Sequence, residues 1–316
     1  MIPMGNPTVP RDFSVIIVTY NSAGWIRPCL DSVLRQAVEC DHLEVVIIDN
    51  ASTDDTPMTV AREYPHVTLI RNDSNCGFAV AVNQGAAEAR CSTLVFLNPD
   101  TTIETGFFRG LHEFFDSHPG PAIAGGQLKE PDGRVQPSCW RTPGLWTVLL
   151  ESSLPYTVSL GLTTVIPPGT ASVETVSGAC MAIGKTEFDR LGGFDERFFM
   201  YYEDLDLCMR ARRAGMTVYY VPAASVIHHV RKSTEQSGER FFLYVYRSKL
   251  EIVRKHESPA AHLLAFLIVL TGIALRIPAY AVAGKLLHKE ELLRLSKYHT
   301  FVLPRIASGL FSGQEE

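Results

Sequence analysis

The sequence is short of several things at once. Its seven cysteines, at 29, 40, 76, 91, 139, 180 and 208, include no Cys-x-x-Cys pair, so neither a zinc ribbon nor a thioredoxin-like redox motif is present. An odd, scattered set reads as reduced thiols in a cytosolic setting rather than a disulfide framework. No Gly-x-x-x-x-Gly-Lys-Ser/Thr run occurs, which excludes a P-loop, and no Gly-x-Gly-x-x-Gly follows the first apolar run, which argues against a dinucleotide-binding fold. Positive charge is not in excess: the formal net charge of −5 offers no footprint for a nucleic-acid partner. Met1 to Arg11 carry no apolar core, so no secretory signal is expected. Nor is the chain polar enough for disorder, with 46% hydrophobic and 20% charged residues. Its 316 residues suffice for one large α/β domain plus an extension.

What is present is an alternation. Phe13–Thr19, Leu43–Ile48, Val67–Arg71 and Ser92–Leu97 are apolar runs that read as strands, buried on both faces. Helical periodicity fills the intervals: 24–38, 54–64 with Ser52 or Thr53 as cap, 78–90 and 104–117. A strand at 122–126 closes this half. Repeated β-α units predict a mostly parallel central sheet with helices on both faces. Beyond it, 135–140 reads as a short strand and 141–172 as a long irregular insertion. Order returns with a strand at 175–184, helices at 186–191 and 202–214, and two short strands at 218–221 and 225–228. The predicted division is 12–232, in halves 12–126 and 127–232, followed by a helical extension at 233–316.

The strand ends carry the polar groups. Pro99 cannot donate to a ladder, so the fourth strand must stop there. Asp100 is thereby held beyond its carboxyl end, where open α/β sheets bind ligands. A carboxylate at that place suits a divalent cation or a sugar hydroxyl, and equally suits a cap on a helix starting near Thr102. The first strand ends in Thr19-Tyr20-Asn21-Ser22 and the second in Asp49-Asn50-Ala51-Ser52, so these groups should face the same crevice. A second group is Gly192-Gly193-Phe194-Asp195-Glu196, followed by Tyr201-Tyr202-Glu203-Asp204-Leu205-Asp206. Asp195 and Asp206 read as caps and helix-dipole partners. Glu203 and Asp204 sit beside aromatic residues and beside each other, which raises a carboxyl pKa toward that of a general base. His228-His229 end a later strand, as a metal partner or a structural pair.

Five ordered motifs now align with a family. Val15-Ile-Ile-Val-Thr-Tyr-Asn21, Ile47-Ile-Asp-Asn-Ala-Ser-Thr53, Asn75-Cys-Gly-Phe78 with Asn83, Leu97-Asn-Pro-Asp100, and Gly192-Gly-Phe-Asp-Glu196 with Glu203-Asp204 occur in that sequence. Together they resemble the inverting family 2 glycosyltransferases of GT-A fold, particularly the rhamnosyltransferase-like branch, over residues 12–232. The resemblance implies that Thr19, Asn21 and Asp49, with its neighbour Asn50, hold a nucleotide, Asp49 on a pyrimidine base. It implies that Arg71, Asn75, Gly77 and Asn83 line the nucleotide and sugar pocket. Asp100 matches the last carboxylate of the family's Asp-x-Asp motif, which ligates Mg²⁺ or Mn²⁺ through the donor's diphosphate, and His228 matches a His that completes that shell. Asp204 matches the base that deprotonates the acceptor hydroxyl, with Glu203 its rival. Asn98 departs from the pattern, standing where the motif has its first Asp, although it can still bond a sugar hydroxyl. Metal dependence is therefore the weaker expectation, and transfer the stronger.

The implied reaction moves a sugar, rhamnose from dTDP-rhamnose, to a glycan or polyprenyl-linked acceptor. UDP-hexose or UDP-GlcNAc donors, and a nucleotide-sugar-binding module without turnover, are the alternatives. A nucleotidyltransferase would need a Gly-rich basic loop after the first strand, which 19–24 does not offer. Trp140 and Trp146 lie where family members build acceptor contacts, as stacking or as core residues. Residues 258–275 hold no Asp, Glu, Lys or Arg. Eighteen uncharged residues are the lower edge of a membrane span, with basic residues on both sides and no orientation bias. An interfacial or partner-docked helix over 258–284 is the expectation, placing the chain at the cytoplasmic face of the cell membrane; a buried core helix is the alternative.

Overall fold

The first strand, β1 (Asp12–Thr19), is buried from Phe13 onward, as its unbroken run of β-branched residues requires. The computed structural model describes residues 12–153, 161–229 and 232–308. β1 pairs in parallel with β2 (His42–Asp49) and β4 (Thr93–Leu97), and β2 with β3 (Thr68–Arg71). The sheet then changes sense. β11 (Cys180–Gly184) runs antiparallel between β4 and β6 (Ala122–Lys129), and β12 (Thr217–His228) lies parallel to β6. β5 (Thr101–Ile103) closes that edge and β9 (Ala171–Ser172) pairs with β12, so the sheet is mixed but mostly parallel. A separate small sheet includes β7 (Cys139–Trp140), β8 (Thr164–Val165) and β10 (Thr175–Val176).

The alternation of side chains along β1 makes two apolar layers. Phe13, Val15 and Ile17 pack against α1 (Ile26–Arg35), α2 (Thr56–Glu63) and α4 (Phe107–Ser117) through residues such as Leu30, Val60 and Phe108. Ile16 and Val18 face the other layer, where α3 (Phe78–Glu88), α6 (Lys185–Arg190) and α7 (Glu203–Arg213) contribute Val82, Phe188 and Leu207. Each fully buried side chain of this size contributes about 1.5–3 kcal/mol. The cysteines are free, five of the seven are buried, and burial pushes the Cys29, Cys40 and Cys180 thiols up to about 12.

Several expectations are corrected by local chemistry. No helix begins near Thr102: residues 101–103 form β5 on the end of β12, so Asp100 caps nothing. α2 begins at Thr56 rather than beside Ser52 or Thr53, because Asp54 Oδ1 accepts from the Thr56 N–H at 3.0 Å. The stretch 141–172 is not irregular throughout, since it contains α5 (Leu145–Ser153), β8 and β9. The strand expected at 175–184 is two strands, parted at Ser177-Gly178-Ala179. Conversely, 218–221 and 225–228 are one strand, β12, whose register shifts between Val221 and Ser225, where Pro222 cannot donate.

By internal packing the chain forms two units. The first holds 12–141, 165–196 and 204–229, and the second 142–153, 161–164, 197–203 and 232–308. In the second, α8 (Lys232–His256), interrupted at Gly238, joins α5, α9 (Pro259–Leu286) and α10 (Glu290–Ala307). Small residues on α9 admit close neighbours: a Cβ on Gly272 would lie 2.9 Å from the Ser152 carbonyl oxygen, and one on Gly284 2.7 Å from Leu293 Cδ2. A Lys249–Glu151 ion pair at 2.5 Å, its lysine buried and its glutamate partly exposed, ties α8 to α5. In the apolar window of α9 only 22% is buried, so the core-helix reading does not describe it.

The sheet tolerates no extra atoms where β6 meets β11 and β12. A Cβ on Gly126 would lie 2.4 Å from Cys180 Sγ and 2.5 Å from the Ala224 carbonyl oxygen, while one on Gly24 would meet nothing. Gly126→Ala is expected to lower stability by about 1–3 kcal/mol and Gly24→Ala to leave it within about 0.5 kcal/mol, read from urea denaturation midpoints. Equal midpoints for the two variants would contradict this packing.

Candidate active site

Three parallel strands end in register. Thr19 of β1 lies beside Asp49 of β2, which lies beside Arg71 of β3. Asp49 is fully buried, and its carboxylate accepts from Thr19 Oγ1 and from the Ser52 N–H, each at 3.0 Å. Arg71 is exposed at the strand end. Asn50 anchors the neighbouring loop, donating from Nδ2 to the Gly77 carbonyl (2.9 Å) and accepting at Oδ1 from Asn72 Nδ2 (2.8 Å). Asn75 Oδ1 accepts from the Gly77 N–H at 3.0 Å, and Gly77, at φ +86°, opens α3 in a conformation that L-residues avoid.

Asn21 links the first two loops. Its backbone N–H donates to Ser52 Oγ, and its Oδ1 accepts from the Thr53 N–H, both at 2.8 Å. Asn21 and Ala51 have φ of +50° and +60°. Two non-glycine residues held there mark strain that the surrounding bonds must sustain. The result is a rigid polar rim around the Thr19–Asp49–Arg71 row, with the N-terminus of α3 aimed along the same sheet end.

A second cluster arises because β5 pairs with the end of β12, placing Thr101 opposite His228. The His229 N–H donates to the Asp100 carbonyl at 2.9 Å, and the His229 ring stacks on Trp25 with centroids 4.7 Å apart. Asp100 Oδ1 then lies 3.4 Å from His228 Nε2, both side chains about a tenth exposed. The tautomer follows from the partner of the other nitrogen. Gln136 donates from Nε2 to the His228 carbonyl at 2.8 Å, which turns its Oε1 toward His228 Nδ1 at 3.1 Å. An amide oxygen only accepts, so Nδ1 carries a hydrogen toward Gln136 and Nε2 is the ring nitrogen that faces Asp100. A carboxylate oxygen and a ring nitrogen this close are a pair that could ligate one cation together. Among the described residues no group of three His, Cys, Asp or Glu side chains could hold a metal ion. Two protein donors suit a hard cation that takes its other ligands from phosphate oxygens and water, and the outer bond from Gln136 is the support such a His ligand requires.

The third element is Asp204, near the start of α7. Its Oδ2 accepts from the Gly178 N–H at 2.7 Å and its Oδ1 from the Leu205 N–H at 2.8 Å. Gly178 precedes β11, whose Cys180 pairs with Leu97, and the Asn98 N–H donates to the Ala179 carbonyl at 3.1 Å. Asp204 is therefore fixed at the same sheet edge as Asn98 and Asp100. Burial raises its pKa above the ordinary carboxylate value, against the lowering effect of the two N–H donors. A Cβ on Gly178 would lie 3.2 Å from Asp204 Cβ, so the approach requires glycine or movement. Glu203, the first residue of α7, is buried.

The remaining candidates have structural partners. Asn83 bridges to the backbone of Phe194, donating to its carbonyl and accepting from its N–H, each at 2.9 Å. Asp206 is fully buried against Arg210, whose guanidinium also donates to the carbonyls of Leu191 and Gly193 at 2.7 Å. These bonds fix the 191–196 turn. Gln136, Gly178 and Trp25 were not singled out from the sequence. A lone Gln in one expected short strand and a lone Gly in another carry no local signal, and Trp25 reads as an ordinary apolar helix residue.

Comparison with known proteins identifies the family and the fold. The description "Glycosyl transferase family 2" matches residues 14–157, and "Glycosyl transferase family group 2" matches 94–241. An N-acetylglucosaminyl-diphospho-decaprenol L-rhamnosyltransferase of Mycobacterium tuberculosis is 32% identical over 70% of this chain and 76% of its own length. Mannosyltransferase PcManGT from Pyrobaculum calidifontis, solved with GDP-Man and Mn²⁺, superposes with a TM-score of 0.57 at 22% identity, covering 99% of this chain and 92% of that one. GalNAc-T7, solved with UDP, GalNAc and Mn²⁺, gives 0.54 at 17% identity over 75% of this chain; the match spans about half of that protein, 48%. The two solved structures carry the fold, which is GT-A-like, and the family descriptions and the mycobacterial relative carry the membership. The chain is a glycosyltransferase of family 2.

Proposed function

We propose that this enzyme is an inverting transferase that moves rhamnose from dTDP-rhamnose to a hydroxyl of a polyprenyl-diphosphate-linked glycan. The observation that carries the reading is the hydrogen-bonded path Asn98–Ala179–Gly178–Asp204, which sets a carboxylate of raised pKa at the same sheet edge as the Asp100–His228 pair. Thr19, Asp49 and Arg71 form the row that takes the nucleotide, with Asp49 presented to the base and Arg71 to the diphosphate. Asn98 stands beside the sugar. The mycobacterial relative's name supports both the rhamnosyl donor and the lipid-linked acceptor.

Transfer in one displacement needs two things of the protein. Negative charge growing on the departing diphosphate must be stabilised, and the attacking hydroxyl must lose its proton. Asp100 and His228 would hold Mg²⁺ or Mn²⁺, which supplies Lewis-acid stabilisation of the leaving group. Asp204 takes the proton: its oxygens are oriented by backbone donors, and a pKa above the usual carboxylate value makes it a stronger base. Gln136 fixes the His228 ring so that Nε2 stays directed at Asp100.

Asp204→Asn is expected to lower turnover by at least about a hundredfold while retaining the affinity for dTDP measured by calorimetry. In the parent, kcat/KM should rise with pH through an apparent pKa above the ordinary carboxylate value, because only the ionised base accepts the proton. A variant that turned over donor at the parent rate would remove Asp204 from the mechanism.

Mn²⁺ titration followed by calorimetry tests the second cluster. Asp100→Ala and His228→Ala are expected to weaken metal binding strongly, and Gln136→Leu by about ten- to a hundredfold. Unchanged affinity in all three would place the metal elsewhere. Thermal shifts separate donors, since a ligand that binds only the folded state raises the melting temperature. dTDP-rhamnose should shift it more than UDP-glucose or UDP-GlcNAc; the reverse order would reassign the donor and leave the transferase reading intact.

A further inference from the structure

The second unit carries a surface that sugar transfer does not use. Along α9 the exposed positions recur at helical spacing: Leu263, Leu267, Leu275, Val282 and Leu286 are each at least half exposed. From Leu263 to Leu286 the stripe runs for about 35 Å at 1.5 Å per residue. Between Leu263 and Val282 the exposed positions include one polar side chain, Thr271. The opposite side of α9, with Ala265, Val269, Gly272 and Ile273, is buried. The usual polarity of a surface helix is absent, because both sides are apolar and the chain covers only one.

The neighbouring helix extends the same face. On α5, Trp146 is 68% exposed and Leu149 36%. Between α5 and α9 runs a cleft of about 650 Å³, whose walls include Leu149, Leu267, Ile268, Leu275 and Tyr280. Arg276 lies in its wall, with Nη2 held by the Glu151 carbonyl at 2.6 Å. A groove of this kind accepts a hydrocarbon chain along its length.

We infer that this face of α5 and α9 is a monotopic membrane-docking surface, with the hydrocarbon side of a lipid bilayer as its occupant. Chemistry decides against a protein partner. A protein interface of ordinary size covers about 800 Å² on each side and carries about one hydrogen bond per 100–200 Å². A face whose central stripe offers a single hydroxyl cannot supply them. Hydrocarbon asks for none. Trp146 at one margin, Lys285 in the last turn of the stripe and Lys289 past its end provide the aromatic and basic groups that settle at a headgroup boundary. The helix lies along the membrane and does not cross it. Its covered side is sheathed by α10, which carries Glu290, Glu291, Arg294, Lys297 and Arg305, and by the Lys249–Glu151 pair; a crossing helix would carry these into hydrocarbon.

The inference does not depend on the donor or acceptor assigned above, and its test does not read activity alone. The full chain is floated with phosphatidylcholine vesicles, and with vesicles also containing phosphatidylglycerol, at low and high salt. Binding to both compositions that persists at high salt is expected, because apolar area drives it. Leu275→Glu and Val282→Glu, exposed positions whose change leaves the fold intact by circular dichroism, should each lower the bound fraction at least tenfold. Lys297→Glu on α10 should not. Turnover of donor with a water-soluble acceptor should be unaffected in all three. Failure of the parent to bind vesicles would overturn the inference, as would binding by Leu275→Glu equal to the parent. Binding confined to anionic vesicles and abolished by salt would also overturn it, as would a lipid-free dimer that Leu275→Glu dissociates.

Discussion

A five-residue antiparallel ladder, from Leu97 opposite Cys180 to Thr93 opposite Gly184, joins the parallel half of the sheet, with Thr19, Asp49 and Arg71 at its strand ends, to the half that leads to Asp204. Without it, Asp100 would stand at the end of an isolated parallel half-sheet. With it, Gly178 is delivered to the carboxyl end of β4 and hands its N–H to Asp204. The reversal of strand direction at β11 is thus what lets the second half of the chain reach the crevice made by the first. The two apolar layers hold the ladder flat enough to serve, and Gly126 admits the close approach of Cys180 behind it.

The same edge shows two ways of controlling charge. At Asp49, a buried carboxylate is oriented by a hydroxyl and an N–H, which hold it rigid and leave acceptor capacity on its oxygens. At Asp100, the carboxylate lies 3.4 Å from His228 Nε2, a pairing of donor atoms suited to a cation. Asp204 lies between these extremes. Its backbone donors orient it, while burial keeps its affinity for a proton high. Three carboxylates of like chemistry are thus given three different settings by their surroundings, and the proposed division of binding, metal holding and proton transfer rests on those settings.

Much of this was legible in the sequence because strand ends are marked by abrupt changes in polarity. Pro99 fixed the end of β4, and the uninterrupted apolar runs fixed β1, β2 and β4. The Asp100–His228 contact was suggested by resemblance, and its geometry depends on β5, three residues long, which no periodicity could reveal. Asn83 reads as a pocket residue by position in a motif, yet its amide is spent on the Phe194 backbone. Gln136 was invisible because its importance lies in a hydrogen bond 92 residues away in sequence. The helix α5 within 141–172 was obscured by the proline and glycine around it, and β12 appeared as two strands because a proline interrupts its ladder without ending it.

The bonds to Asp204 come from peptide groups, and this has an evolutionary consequence. Peptide N–H groups are the same whatever side chain each residue carries, Gly178 excepted for want of space. Side chains around Asp204 can therefore be exchanged without displacing its carboxylate, which the proposed reaction needs fixed. A scaffold of this kind separates what is done from what it is done to. New acceptors can arise by side-chain exchange alone, while the geometry of transfer stays constant.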